Sequence, residues 1–268
     1  MPEAAFEAVT GFDALRPSSA RIYDYFLSGK DNYSADRSLA ERLRRAAPGI
    51  RVLARANRDF LARAVRMLSA EAGIDQFLDI GCGLPGRENV HEIAHREAPG
   101  CRVAYVDSDP MVVAHAQALM ASGGETTAFQ ADLRAPETIL HDRRLRAVVD
   151  LERPVAVLMT AVLHHLSDDE DPHGAVARIR DALPPGSHVV LSHAEVTPAL
   201  RRAAALHACA DAPFVPRTPD RVARFFDGME PLAPGLVRAP RWRPDTCGAR
   251  LTGAGRVALL AGIARIPA

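Results

Sequence analysis

The chain has 268 residues, of which 48% are hydrophobic and 25% are charged, as in a soluble globular protein. Its formal net charge is zero, which argues against a surface for nucleic acids or membranes. Its apolar runs are too short to cross a membrane, its first residues lack the pattern of a signal peptide, and its four cysteines form no C-x-x-C pair, so we expect a cytoplasmic protein without a zinc ribbon.

A helical arm is predicted before the first strand. Apolar residues at helical spacing indicate three helices there. The first begins at Ser18 or Ser19 and ends at Gly29, and the others cover residues 35–47, after a Ser34 cap, and about 50–72. We expect this arm, residues 1–73, to pack as a lid on a second domain, residues 74–268, with both forming one structural unit.

Short apolar runs alternate with helical patterns from residue 74 onward. This alternation predicts an α/β fold with a parallel sheet. Five strands are predicted over residues 76–80, 102–106, 126–130, 154–159 and 188–192. Helices are predicted over residues 87–97, 110–121 and 172–183, and residues 194–226 are expected to be helical. A final pair of strands is predicted over residues 232–237 and 256–263.

A glycine-rich turn follows the first predicted strand, in the sequence Q-F-L-D-I-G-C-G-L-P-G from Gln76 to Gly86. Asp79 lies inside the apolar run, where a carboxylate is costly unless it has a partner. Gly81 and Gly83 allow the chain to turn sharply and to approach a ligand closely. A strand, a glycine turn and a helix form the first half of a nucleotide-binding βαβ unit.

Two classes of ligand fit this turn. The glycines match G-x-G-x-x-G, the dinucleotide fingerprint, and together with Asp79 they match D-x-G-x-G, the first motif of S-adenosylmethionine (SAM) methyltransferases. The Asp79 carboxylate would oppose a pyrophosphate, whereas it would attract the ammonium group of SAM. Pro85 also removes a backbone N–H that a phosphate would use. We therefore predict SAM as the cofactor.

Polar residues stand at or near the ends of the predicted strands, where parallel sheets bind their ligands. These residues are Asp79, Asp107, Asp132, Thr160 and His193. Asp107 follows Gly81 by 26 residues, close to the spacing of about 20 expected for an acid that binds ribose hydroxyls. The sequence therefore predicts a nucleoside site at this edge of the sheet.

Several segments carry a resemblance to a known family. F-L-D-I-G-C-G, Y-V-D-S-D-P, Q-A-D-L and A-V-L-H-H-L resemble the successive motifs of class I SAM-dependent methyltransferases. R-I-Y-D-Y-F-L-S-G-K-D-N-Y, R-A-N-R-D-F-L and F-F-D-G-M-E extend the resemblance, from about Arg16 to Trp242, to the S-adenosyl methyltransferase family, formerly listed only as a domain of unknown function. The resemblance implies a Rossmann-like α/β fold: a seven-stranded, mostly parallel sheet with helices on both faces, an antiparallel last strand and an N-terminal helical extension.

The same resemblance implies which residues hold SAM. The methionine part is assigned to Asp79, Gly81 and Gly83, and the ribose hydroxyls to Asp107. The adenine is assigned to Ser108 or Asp109, to the Asp132 carboxylate and to the backbone N–H of Leu133. The floor beneath the sulfonium is assigned to Met159 and Thr160. No metal is predicted.

Further candidates come from the arm and from the ends of the fourth and fifth strands. Polar and aromatic residues of the arm are expected to contact the cofactor if the arm closes over it: Tyr23, Tyr25, Lys30 and Asn57. Methyl transfer from a sulfonium needs a base only if the acceptor must lose a proton. The candidate bases are His164, His165, His193 and Glu195.

The acceptor and three alternative functions remain open at this stage. The zero net charge, and the lack of an Asn-Pro-Pro-Tyr type of motif after strand four, argue against nucleic acid and favour a small-molecule acceptor, with a protein as the other choice. The main alternative is a SAM-binding protein without turnover. A zinc hydrolase using His91-Glu92-Ile93-Ala94-His95 and an NAD-dependent oxidoreductase are the remaining alternatives.

Overall fold

The arm before the first strand is helical, as predicted. The computed structural model describes residues 13–121, 124–245 and 257–268. Three helices form the arm: α1 (Ser19–Phe26), α2 (Ser34–Ala46) and α3 (Ile50–Ala70). Ser34 is the first residue of α2 and not its cap, because the extended residue Tyr33 precedes the helix and donates its N–H to the Asp36 carboxylate at 2.8 Å.

A buried ion pair connects α1 to the N-terminus of α2. Arg21 donates from Nε to Asp36 at 2.8 Å, and both side chains are almost completely buried. Asp36 also accepts the backbone N–H of Ser18 at 2.9 Å. Because a buried carboxylate is stable only when its oxygens have donors, these contacts fix how α1 sits on α2.

A mixed sheet forms the centre of the molecule. Its strands are β1 (Gln76–Ile80), β2 (Arg102–Asp107), β3 (Thr126–Gln130), β4 (Ala156–Thr160), β5 (His188–Ala194), β6 (Glu230–Pro231), β7 (Val237–Arg238) and β8 (Leu259–Arg265). The strand order is β3-β2-β1-β4-β5-β8-β6, with β7 also paired to β8. Strands β1 to β5 are parallel and β8 is antiparallel to β5, as the resemblance implied.

Helices cover both faces of the sheet. The later helices are α4 (Val90–Glu97), α5 (Pro110–Leu119), α6 (Pro136–Leu140), α7 (Arg143–Val148), α8 (Pro172–Asp181), α9 (Pro198–His207) and α10 (Pro219–Ala223). One apolar core joins the arm, α4, α5 and α9 to one face, and a second joins α6, α7, α8 and α10 to the other. In β1, Phe77 belongs to the first core and Leu78 to the second, so alternation places Asp79 on the face that the arm covers.

The seven-strand expectation differs from the structure at the C-terminal edge. The predicted strand over residues 232–237 is replaced by β6 and β7, which flank a turn in which the Gly235 N–H donates to the Leu232 carbonyl at 2.7 Å. Pro234 in that turn has no N–H to donate to a ladder. The last strand, predicted over residues 256–263, is observed as β8, which covers Leu259–Arg265. Residue 256, the first of the predicted range, lies outside the described residues.

Two helical expectations are also corrected, and two short helices are found that were not expected. The helix predicted from residue 87 begins at Val90, because Asn89 stays extended and its N–H bonds to Glu92 at 2.7 Å. Helices α6 and α7 were not expected, since each has only five or six residues and too few turns for a visible period. Residues 194–226 contain α9 and α10 but are not continuously helical. No helix within the described residues is long and apolar enough to cross a membrane.

Candidate functional site

A cavity of about 150 Å³ opens at the carboxyl ends of β1, β2 and β4. Strand order reverses beside β1, since β2 and β3 lie on one side of it while β4 and β5 lie on the other. Such a switch point leaves a crevice, which is the usual ligand site of an open α/β sheet. The arm covers this crevice and contributes Tyr23, Asn57 and Arg58 to its lining.

The glycine turn forms one wall of the cavity. Gly81 and Gly83 have φ angles of +72° and +66°, in the left-handed region that favours glycine. The Gly81 N–H donates to the Val106 carbonyl at 2.8 Å, which ties the turn to β2. A Cβ on Gly81 would lie 2.4 Å from the Val162 side chain, whereas a Cβ on Gly83 would meet no atom within 4 Å.

The two glycines therefore predict different outcomes for the same substitution. We expect Gly81→Ala to destabilise the fold by about 2–4 kcal/mol, because it combines left-handed strain with a clash that needs backbone movement. Gly83→Ala should cost only about 1 kcal/mol of strain. Thermal unfolding of both variants measures this difference, and equal losses of stability would contradict the geometry.

Asp107 lies at the end of β2 and holds two loops of the site together. Its Oδ2 accepts the Gly83 N–H at 3.0 Å, and its Oδ1 accepts the Asp109 N–H at 3.0 Å. Burial raises the pKa of Asp107 to about 6, against the lowering effect of these two hydrogen bonds. The carboxylate is half-buried and lines the cavity, so its unused lone pairs are available to a ligand.

Asp79 is the buried acid of the site. Its side chain lines the cavity and is 4% exposed. In the described part of the chain, no group donates a hydrogen bond to this carboxylate. Burial raises the pKa of Asp79 to about 7, Arg58 lowers it and the nearby Asp107 raises it further. A buried carboxylate without donors is suited to a cationic ligand, because such a ligand would supply the missing partner.

The residues assigned to adenine surround the far end of the cavity. Ser108, Asp109, Asp132 and Leu133 all line it. Asp109 also caps α5 by accepting the Met111 N–H at 2.8 Å, and it accepts the Ser18 hydroxyl at 2.9 Å. Asp132 is half-exposed and pairs with Arg134 at 2.9 Å. Asp109 and Asp132 would therefore have to share their oxygens between these partners and a ligand.

The floor residues at the end of β4 divide between core and cavity. Thr160 lines the cavity. The Met159 side chain is completely buried in the second apolar core and is not part of the lining. Alternation along a strand explains this difference between neighbours.

Of the candidate residues in the arm, some line the cavity and others do not. Asn57 lines the cavity while it accepts the Ser192 hydroxyl and donates to the Tyr23 hydroxyl at 2.9 Å. Tyr25 is outside the lining, and its hydroxyl donates to Glu41 at 3.1 Å. Lys30 is exposed beside an adjoining groove of about 1020 Å³ that shares Gly83 and Arg58 with the cavity.

Of the four candidate bases, His165 alone lines the cavity. His193 is completely buried, with Nδ1 bonded to the Ala194 carbonyl and Nε2 to Arg217. Glu195 is paired with Arg238 at 2.9 Å and lies outside the lining. His164 accepts the Ala194 N–H at 3.3 Å and lines a neighbouring apolar cavity.

The H-E-x-x-H segment is occupied by contacts within the protein. His91 pairs through Nδ1 with the Tyr105 hydroxyl at 2.8 Å, and His95 pairs through Nε2 with the Cys101 carbonyl at 2.7 Å. Among the described residues, no group of three or more His, Cys, Asp or Glu side chains is placed to hold a metal ion. Within the described residues, the zinc-hydrolase alternative therefore has no set of metal ligands.

Sequence reasoning did not identify several residues of the lining, and Arg58 is the most important of them. Arg58 is half-buried, its guanidinium donates to the Glu88 carbonyl, and its charge lowers the pKa of Asp79. The motif R-A-N-R-D-F-L pointed to α3, yet the arginines of that helix look alike in the sequence. Val162, Asp211 and Ala212 also line the cavity and carried no signal of their own.

Comparisons with known proteins agree with this geometry. The sequence profile described as S-adenosyl methyltransferase matches residues 6–267. A solved structure of a DUF574 family protein from Streptomyces avermitilis MA-4680 is 40% identical, with a TM-score of 0.90 over 95% of this chain and 99% of that one. A second solved structure, described as a putative methyltransferase from Thermobifida fusca YX, is 41% identical, with a TM-score of 0.90 over 97% of this chain and 98% of that one. No curated protein matches the chain.

More distant structures share the fold alone. Human N-acetylserotonin methyltransferase in complex with SAM is 16% identical, with a TM-score of 0.50 over 92% of this chain and 62% of that one. The N-methyltransferase NodS from Bradyrhizobium japonicum WM9, in complex with S-adenosylhomocysteine (SAH), is also 16% identical, with a TM-score of 0.50 over 77% of this chain and 86% of that one. The class I methyltransferase fold expected from the sequence is therefore confirmed.

Proposed function

The chain belongs to the S-adenosyl methyltransferase family, and from this premise we propose that it transfers the methyl group of SAM to a small-molecule acceptor. The observation that carries the proposal is the buried Asp79 carboxylate, which lines the cavity without a donor in the described part of the chain. The ammonium group of SAM has the charge and the N–H donors that this carboxylate lacks. NAD, the rival ligand of the glycine turn, would bring a pyrophosphate into the same place.

Different residues of the cavity lining match different parts of the SAM molecule. Asp79 would bind the ammonium group, and the half-buried Arg58, which lines the same cavity, would bind the carboxylate. Asp107 would accept the ribose hydroxyls with the lone pairs that Gly83 and Asp109 leave free. Leu133 and Ser108 would flank the adenine.

The protein contributes mainly alignment. SAM supplies a methyl group on a sulfonium that is already a good leaving group, so the chain has only to hold donor and acceptor in line and exclude water. Thr160 and Ala161, at the end of β4, line the cavity where the sheet reverses. His165 lines the same cavity and, of the four candidate bases, is the one that we propose takes a proton there.

A small acceptor is supported by how the arm covers the site. The cavity lies between the sheet and residues of α1 and α3, and a crevice of about 150 Å³ covered on one side by the arm suits a small molecule. The three described cysteines, Cys82, Cys101 and Cys209, are free thiols. Free thiols suit the reducing cytoplasm that we propose as the location of the protein.

Calorimetry with SAH and with NAD tests the proposed function. We expect SAH to bind with one site per chain and NAD to show no heat of binding under the same conditions. Incubation with methyl-labelled SAM and a library of small molecules then tests turnover. Tight binding of NAD without binding of SAH would overturn the proposal, and SAH binding without label transfer to any acceptor would favour the alternative of a binding protein without turnover.

Two serine contacts make the arm a candidate lid. Ser18 donates its hydroxyl to Asp109 at 2.9 Å, and Ser19 donates its N–H and hydroxyl to Asp211 at 2.8 and 2.7 Å. Both acceptors line the cofactor cavity. These contacts tie the start of α1 to two residues of the cavity lining, and we propose that they break when the cofactor leaves.

We expect the double variant Ser18→Ala, Ser19→Ala to release SAH about 5- to 30-fold faster, since each lost hydrogen bond is worth about 1 kcal/mol. Stopped-flow displacement of SAH measures the rate. Ser38→Ala is the matched control, because Ser38 is exposed and its hydroxyl bonds only within α2, to Ser34. A release rate equal to that of the control would show that the arm is no lid.

A further inference from the structure

A second cavity, of about 60 Å³, adjoins the cofactor cavity and is mostly apolar. The two cavities share four residues: Ser19, Tyr23, Ala161 and His165. The arm contributes apolar side chains from all three of its helices: Ile22, Phe26, Leu43, Ile50 and Leu53. The opposite wall comes from α9 and the loop after it. A molecule in this cavity would touch the cofactor where the two cavities meet.

Four rings form a cluster on the wall nearest the sheet. They are those of His164, His165, His207 and Phe214. The ring centroids of His164 and His165 are 4.7 Å apart, and the Phe214 centroid lies 5.1 Å from that of His164 and 5.8 Å from that of His207. Flat faces and edges at these distances suit another ring better than a flexible chain.

Hydrogen bonds to the backbone set the tautomers of these histidines. His165 bonds through Nδ1 to the Pro213 carbonyl at 2.8 Å, and His207 bonds through Nδ1 to the Ala212 carbonyl at 3.1 Å. A carbonyl only accepts, so Nδ1 carries the proton in both rings and Nε2 is the nitrogen with a free lone pair. His165 therefore offers a hydrogen-bond acceptor at the junction of the two cavities.

The part of the lining that comes from the described residues carries no full charge, because it contains no Asp, Glu, Lys or Arg. Burial lowers the pKa of His164, of His165 and of His207, so the three rings are neutral near pH 7. An ammonium group or a carboxylate would lose its water here without gaining a counter-charge, which is strongly unfavourable. The cavity therefore selects for neutral ligands.

The backbone at the junction is also unusual. Ala161 has a φ of +56°, in the left-handed region that alanine rarely adopts. It is held there by hydrogen bonds from its N–H to the carbonyl and hydroxyl of Ser192. Such backbone conformations persist where the surrounding structure enforces them, and they concentrate at functional sites.

We propose that this apolar cavity is the acceptor subsite and that it takes a neutral aromatic alcohol whose hydroxyl donates to His165 Nε2. The proposal rests on the proposed methyltransferase function and adds the chemical class of the acceptor. In the transfer, the acceptor oxygen forms a bond to the methyl carbon while the bond from that carbon to sulfur breaks, and the sulfur keeps the electron pair. The hydroxyl proton passes to His165 Nε2 and from there to solvent.

Fluorine NMR on the full chain, saturated with SAH, tests the class of ligand. The probes are para-fluorophenol, para-fluorobenzoate and para-fluorobenzylammonium, which share a ring and differ in charge. We expect line broadening for the phenol alone. Equal broadening for a charged probe, or none for the phenol, would overturn the proposal. The SAH titration that precedes the experiment is read separately, so a failure of cofactor binding is distinguished from a failure of this subsite.

The place of binding is tested in the same protein with labelled isoleucine methyl groups. Ile22 and Ile50 line the cavity, whereas Ile139 and Ile179 lie in the other apolar core and serve as internal controls. We expect para-fluorophenol to shift the first two signals and to leave the other two unchanged. Shifts confined to other isoleucines would place the phenol elsewhere and end the proposal.

A filling variant gives a second readout. Ala203, on α9, is completely buried and lines the cavity. Ala203→Leu should weaken para-fluorophenol binding by about tenfold or more while SAH affinity stays within about twofold of the parent, because the added carbons occupy the space for the ring. Unchanged phenol affinity in the folded variant would contradict the proposal. If the variant does not fold, the isoleucine shifts in the parent protein decide.

Discussion

Replacing Asp79 with asparagine is expected to weaken SAH binding by about 30-fold or more and, at the same time, to stabilise the ligand-free protein at pH 8. Removing one partner of a buried charge pair costs about 2–5 kcal/mol of binding energy. Asparagine keeps the shape of the side chain and removes only the charge. Calorimetry with SAH and thermal unfolding without ligand measure the two effects.

The stability gain follows from the direction of the pKa shift. Burial raises the pKa of Asp79 to about 7 in the folded chain, above the ordinary value of 3.8. The group therefore contributes no penalty below pH 3.8. Its contribution becomes steadily more unfavourable between pH 3.8 and pH 7, where the unfolded chain ionises while the folded chain keeps the proton, and the full penalty is reached above pH 7. At pH 8 the variant should be more stable by about 2–4 kcal/mol, and near pH 4 the difference should disappear.

Binding should show the opposite dependence on pH. In the proposed site, the ammonium group of SAH would bind the ionised form of Asp79, so the affinity of the parent protein should fall by about tenfold for each pH unit below 7. Asp107, with a pKa of about 6, adds its own loss only at lower pH. The Asp79→Asn variant should lack the first of these two steps. A parent affinity that stays constant between pH 8 and pH 6 would contradict this account of the site.

Asp75→Asn is the matched control for both measurements. Asp75 directly precedes β1, at the opposite end from the glycine turn, and its half-exposed carboxylate pairs with Arg153 at 2.7 Å. An exposed pair of this kind is worth about 0–1 kcal/mol. We expect neither SAH affinity nor stability at pH 8 to change in this control by more than about threefold or 1 kcal/mol. A control that behaves like the Asp79 variant would show a general effect of charge.

The local parts of the site could be predicted from the sequence because they are contiguous in it. Asp79, Gly81 and Gly83 form one strand and turn, so their types and spacing determine both the backbone and the ligand that it faces. Asp107 could be predicted from its position at the end of the next strand. In each case the functional residue lies within a few residues of the end of a strand, and the pattern of apolar residues is enough to predict that strand.

The remaining parts depend on packing between distant segments. In the sequence, Tyr23 and Tyr25 are equally plausible as residues that contact the cofactor. Side chains two positions apart in a helix point to different sides, however, and only Tyr23 lines the cavity. The acceptor-side cluster joins His165 to His207 and Phe214, which lie on a separate helix and loop. No local sequence pattern indicates that these residues come together in the fold. A single sequence therefore predicts the cofactor, whereas the proposed acceptor pocket could be found only in the structure.

Replacing Arg217 with methionine is expected to destabilise the folded chain by about 3–5 kcal/mol, the largest stability loss we predict. The guanidinium is 1% exposed and donates to the carbonyls of Leu163 and Leu166 at 2.9 and 2.8 Å. It also donates to His193 Nε2 at 3.0 Å and to Asp168 at 2.9 Å. Asp168 would keep Arg221 and the Leu163 carbonyl would keep the Leu166 N–H. Among the described residues, the Leu166 carbonyl and His193 Nε2 would lose their donor, at a cost of about 1–3 kcal/mol each.

Arg221 provides an internal control, because it pairs with the same carboxylate. Its contact with Asp168 is 2.8 Å, slightly shorter than that of Arg217, but its side chain is 44% exposed. We expect Arg221→Met to cost less than about 1 kcal/mol. In a chain of this size, the melting temperature should fall by about 10 °C for the buried arginine and by about 2 °C or less for the exposed one.

The same arginine links stability to the site, since the loop that it braces begins at the end of β4 and carries His164 and His165. Arg217 bonds to the carbonyls on either side of those histidines, so its loss should release the ring cluster before it affects Asp79 on β1. The folded Arg217→Met variant, measured below its melting temperature, should therefore bind SAH within about threefold of the parent while the isoleucine response to para-fluorophenol is lost. Loss of SAH binding while the response to para-fluorophenol remains would contradict the expectation that the ring cluster is affected before Asp79. A melting temperature equal to that of Arg221→Met would show that burial does not make Arg217 more important for stability than Arg221.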